Sequence, residues 1–72
     1  MNTKVIYSIK TCSYKKGKVV EEVLFEDNDL NKIVKDYEDF ICGRVLSINT
    51  LKSILDTIGY YCFDSNTIIT KN

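Results

Sequence analysis

The chain has 72 residues, ten acids against ten bases, 44% hydrophobic residues, and no histidine, proline or tryptophan. This length bounds it to a single small domain whose core stabilises by only about 3–5 kcal/mol. A homodimer is therefore expected as extra support. A formal net charge of zero gives no global field for a polyanionic partner, and without histidine the commonest general base is missing.

The stretch from Met1 to Tyr14 lacks the apolar run of a signal peptide, and no segment reads as membrane-spanning. Lys4 to Tyr14 alternates, with Val5, Tyr7 and Ile9 on one face and Lys4, Ser8 and Lys10 on the other, the pattern of a half-buried strand. Lys15-Lys16-Gly17 reads as a three-residue hairpin loop with glycine at the left-handed position. That loop sets Ile9 opposite Val23, Tyr7 opposite Phe25 and Lys10 opposite Glu22. It gathers Val5, Tyr7, Ile9, Val19, Val23 and Phe25 on one buried face. A two-residue loop would slip the register by one and set acids against the buried side.

Two amphipathic helices follow. Asp29 to Cys42 repeats Leu30, Ile33, Val34, Tyr37 and Ile41, and Ile48 to Ile58 repeats Ile48, Leu51, Ile54, Leu55 and Ile58. The first starts in Glu26-Asp27-Asn28-Asp29, where Asp27 or Asn28 can cap. The second has Ser47 as its cap, with Leu46 and Leu51 as a hydrophobic staple. Gly43 and Gly59 are expected to close the helices in left-handed conformations. Tyr60-Tyr61-Cys62-Phe63, Asp64-Ser65-Asn66 and Thr67 to Thr70 read as two short strands around a turn, or as one bulged strand. The expected fold is α+β in the order ββααβ(β), an antiparallel sheet with both helices on one face.

Candidate chemistry is sparse. Asp27, Asp29, Asn31 and Glu38 match ligand positions of a calcium loop, but Lys32 stands where that loop needs glycine, and a helix cap explains the acids. Cys12, Cys42 and Cys62 are odd in number and widely spaced, so they read as structural filler in a reducing cytoplasm rather than a disulfide or zinc framework. The chain has no nucleophile elbow and no phosphate-binding glycine loop. Catalysis, a cofactor and a metal are not expected.

Binding is the better expectation. Tyr61 and Phe63 share one strand face and Tyr60 with Cys62 the other, so one aromatic set should reach solvent as an interface anchor. Tyr60, Tyr61, Phe63 and Tyr14 are the candidate partner-binding residues. Lys10, Lys15, Lys16 and Lys18 form the alternative, a basic hairpin that meets nucleic acid or instead protects sheet edges. Eight of the ten acids lie between residues 21 and 39, leaving the outer face of the first helix negative through Asp36 and Asp39. On a mixed-sign helix this reads as a solvated face.

Residues 47–60, SINTLKSILDTIGY, resemble the closing helix of phage-repressor-like helix-turn-helix proteins, including antitoxins. The likeness lies outside that family's recognition helix, and the region before it reads as a hairpin, so no residue roles follow. Ile, Lys, Asn and Tyr make up 29 of the 72 residues while Ala and Pro are absent, a usage that points to an A/T-rich source such as a low-GC bacterium or its phage. The expected function is a cytoplasmic, non-enzymatic protein-binding module of a phage or mobile element, acting as an inhibitor or modulator of a host protein. The alternative is a small DNA-binding regulator.

Overall fold

The structure, a computed structural model, describes residues 5–72. Strands β1 (Tyr7–Lys15) and β2 (Lys18–Asp27) form a hairpin. Helices α1 (Leu30–Ile41) and α2 (Ile48–Thr57) follow, then β3 (Tyr60–Cys62) and β4 (Thr67–Lys71). The four strands make one antiparallel sheet in the order β2-β1-β4-β3, so the fold is the expected α+β arrangement. Residues 60–71 form two strands, not one bulged strand. Lys4, placed in the first strand by its alternation, lies outside the described residues.

The N-cap of α1 is Asp29, not Asp27 or Asn28 as expected, because its side chain is the one that reaches the first free N–H groups of the helix; Ser47 caps α2 as expected. Asp29 accepts from the backbone N–H groups of Asn31 and Lys32, and Asp27 Oδ1 accepts from Asp29 N at 2.9 Å. Asp27 and Asp29 of the calcium-loop pattern are thus committed to starting α1, and Glu38 lies within the helix. Ser47 caps α2 by accepting from Thr50 N, and Leu51 behind it is fully buried. Tyr7, Ile9 and Ile69 from the sheet meet Leu30, Ile33, Val34 and Tyr37 from α1, and Leu51 and Leu55 from α2. Both stripes lose their last member to solvent, since Ile41 and Ile58 lie beyond the sheet's shelter.

Three further expectations are corrected. The hairpin turn has two residues, Lys16 and Gly17, with φ of 52° and 75°. Two successive positive φ values match the right-handed twist of the strands, and this turn chemistry prevails over burial as the selector of register. A bulge between Ile9 and Lys10 then absorbs the slip. Below it Ile9 pairs with Phe25 and Tyr7 with Asp27; above it Lys10 pairs with Val23 and Thr11 with Glu22. The expected Lys10–Glu22 pair is therefore not formed. Val19 and Val23 share a face with Lys10 and Tyr14, opposite Tyr7 and Ile9.

The left-handed residue ending α1 is Cys42, with φ of 54°, and not Gly43; Gly59 takes its expected positive φ of 97°. The third correction concerns the thiols. Cys42 and Cys62 are exposed and Cys12 is half-buried, so none of the three is core filler. The core is too small to extend under the positions they occupy.

Candidate functional site

Both helices lie on one side of the sheet, and the alternation of each strand dictates what the other side presents. Tyr14, Lys10 and Cys12 from β1, Val19 and Val23 from β2, Ile68 from β4, and Tyr60 and Cys62 from β3 project there. Tyr14 is 77% exposed, Val19 61%, Val23 51% and Tyr60 50%. At its centre the face is polar and closed: Ser8 is buried and donates to Glu26 Oε2 at 3.3 Å. Tyr14 and Tyr60 stand at opposite corners, roughly 20 Å apart on standard strand spacings.

The four candidate aromatics thus divide. Tyr60 and Tyr14 stand free on the uncovered face. Tyr61 and Phe63 turn inward and pack against the core, Phe63 stacked on Tyr37 and edge-on to Tyr61. These two also line a groove of about 550 Å³, shared with Ile41, Arg44, Val45 and Leu46. Its wall is the link between the helices, fixed by Val45 N donating to Glu38 Oε2 at 3.0 Å.

The basic candidates divide too. Lys15, Lys16 and Lys18 cluster at the hairpin tip, whereas Lys10 sits half-buried on the uncovered face, roughly 17 Å down the strand. Lys15 and Lys18 are directly opposite one another, a like-charge pair that is destabilising on its own. From Ser13 to Val23 every residue is exposed, so the tip projects as a two-stranded ribbon beyond the helices.

Shifted acidities belong to turns, caps and one ion pair between α2 and β4. The N–H of Asp29, aided by Lys32, holds Asp27 below its ordinary value, and the N–H groups of Asn66 and Thr67 do the same for Asp64. The hydrogen bond between Lys71 and Asp56 lowers the carboxyl and raises the ammonium. Among the described residues, no three His, Cys, Asp or Glu side chains converge on a point that a metal would occupy, and no helix is long and apolar enough to cross a membrane.

No protein family, curated protein or solved structure matches the chain. Sequence reasoning missed Val19, Val23 and Phe40 as surface residues. Val19 and Val23 were placed in the core by the register error. The signal that could have found them was Lys16-Gly17, a two-residue turn that reverses the facing of β2. Phe40, three residues after Tyr37, lies on the flank of the apolar stripe, where its ring packs edge-on against Phe25 while most of it stays exposed.

Proposed function

We propose that this chain is a non-enzymatic protein-binding module whose working surface is the uncovered face of the sheet. The supporting observation is the placement of Tyr14, Val19, Val23 and Tyr60, all half or more exposed, on the one sheet face that no helix covers. Exposed aromatics flanked by aliphatic side chains, with a polar margin of Lys10 and Glu21, have the composition of an interface centre and rim. The A/T-rich residue usage favours a phage or mobile-element origin, and with it a host protein as the target and inhibition or modulation as the effect.

The test is capture from a lysate of a low-GC bacterium, with and without nuclease, by the wild-type chain and by a Val23→Thr/Tyr60→Ser variant. A partner held through nuclease and high salt by the wild type, and lost by a variant of unchanged circular dichroism, supports the reading. Retention by the variant places the contact elsewhere and overturns it.

The projecting ribbon with three lysines at its tip favours a second reading, insertion into a nucleic-acid groove. Nucleic acid recovered alone and released steeply by salt would select it.

A further inference from the structure

The outer edge of β2 is the second unfinished feature of this molecule. We infer that a second copy of the chain pairs antiparallel with β2 along that edge, continuing the sheet into an eight-stranded one. This concerns the edge of the sheet and not its face, so it stands or falls separately from the open-face reading.

The two edges of the sheet differ greatly. β3 is three residues long, whereas β2 runs ten residues, roughly 33 Å, with no strand among the described residues on its outer side. Such an edge is a row of unmade backbone hydrogen bonds, a template for another strand. Apolar groups flank it on both sides. Val19 and Val23 lie on the open side; on the helix side, Phe40 is 62% exposed with its ring 5.8 Å from that of Phe25. The ribbon from Ser13 to Val23 is exposed on both faces, and a two-stranded ribbon is marginal in water by itself.

Charge selects the occupant and its direction. One end of β2 carries Lys18 beside Lys15 and Lys16, and the other carries Glu26 and Asp27, followed by Asp29. Among the described residues no carboxylate lies within ion-pair distance of the tip lysines, and Lys15 directly faces Lys18. At the acidic end only Lys32 offsets Asp27, at 3.6 Å. Antiparallel pairing of two copies lays each lysine tip against the other's acidic end, twice by symmetry. Parallel pairing would set like against like. Glu21 and Glu22 fall near the two-fold axis and oppose each other, which limits affinity.

The test is molar mass by sedimentation of the purified chain across concentration, with far-UV circular dichroism as the folding control. The wild type is expected to dimerise. A Lys15→Glu/Lys18→Glu variant and a Glu26→Lys/Asn28→Lys variant should each lose dimer affinity by at least about tenfold. Mixed together they should form a heterodimer, because each supplies the charge the other lacks at both contacts. A wild type that stays monomeric overturns the inference. So does a dimer that ignores both charge variants but is broken by Tyr60→Ser, since Tyr60 lies on β3, at the far side of the sheet from β2, and its loss would put the second copy on the open face. Both charge variants leave Val23 and Tyr60 untouched. Failure of self-pairing is therefore distinct from failure of the open-face contact in the capture experiment.

Discussion

The ring of Tyr37 in α1 stacks on Phe63, 4.6 Å between centroids and 20° between planes, so a residue just past the last position of β3 closes the core under the helix. Three residues earlier, Tyr60 points the opposite way into solvent. Phe63→Ala is expected to destabilise by about 1–3 kcal/mol, the combined loss of burial and of an aromatic pair. Tyr60→Ser should stay within about 0.5 kcal/mol of the wild type, as an exposed substitution does. Urea unfolding measures both. Equal losses would mean that the two aromatics do not divide between core and surface.

The helices and their caps were legible because their signals are local. Ser47 with Leu46 and Leu51, and the acidic run ahead of Leu30, Ile33, Val34 and Tyr37, each state a helix start within one or two turns, although the cap of α1 falls on Asp29 and not on Asp27 or Asn28. The hairpin register was not legible by the same means. It depends on a competition between a turn and a burial pattern, and the bulge at Ile9/Lys10 lets both be satisfied in different halves of the strand. That is also why the site was half legible. Alternation divides Tyr60 from Tyr61 and Phe63 without saying which set is exposed, and Tyr14 stands out only by its place beside the hairpin tip, while Val19 and Val23 fall on the wrong face through the register.

Among the described residues, two that are not glycine occupy the left-handed region, Lys16 at φ 52° and Cys42 at φ 54°. The conformation costs an ordinary residue roughly 1–2 kcal/mol, and asparagine or glycine much less. Lys16→Asn should raise stability by about 0.5–1 kcal/mol, since it creates the Asn-Gly turn of a two-residue hairpin. Cys42→Gly should gain a similar amount after the extra unfolded-state entropy of glycine is subtracted. Thermal unfolding checks both, and a loss at position 16 would argue for the three-residue loop after all.

The thiols rank by exposure, Cys42 and Cys62 ahead of half-buried Cys12. Under native conditions a disulfide-exchange reagent should modify Cys42 and Cys62 first, with Cys12 slower until denaturant is added. Peptide mapping of the partly modified chain gives the order. If Cys62 were protected in the intact protein at high concentration and reactive after dilution, the open face rather than the β2 edge would carry the self-contact.

Asp56 on α2 and Lys71 on β4 tie the second helix to the last strand by a hydrogen-bonded ion pair. Each partner shifts the other. Asp56 falls below its ordinary 3.8 through the Lys71 hydrogen bond, and Lys71 rises above its ordinary 10.5 through the same contact. A carboxyl lowered in the fold stabilises above its unfolded value and loses that contribution as pH falls through the folded value. An ammonium raised in the fold stabilises fully below its unfolded value and loses the contribution as pH rises through the folded one. The pair therefore contributes across the neutral range and fades at both extremes. Asp27 and Asp64 are lowered as well, so they share the acid limb but add nothing to the alkaline one. The stability difference between wild type and Asp56→Asn should be small, as for exposed pairs, and should reduce further with salt. Its diagnostic is shape: a plateau at neutral pH that closes below the carboxylate range and again above 10.5. Urea midpoints for the two proteins across pH measure it. A difference that does not vary with pH would mean that Asp56 acts through packing or helix propensity and that its charge is idle.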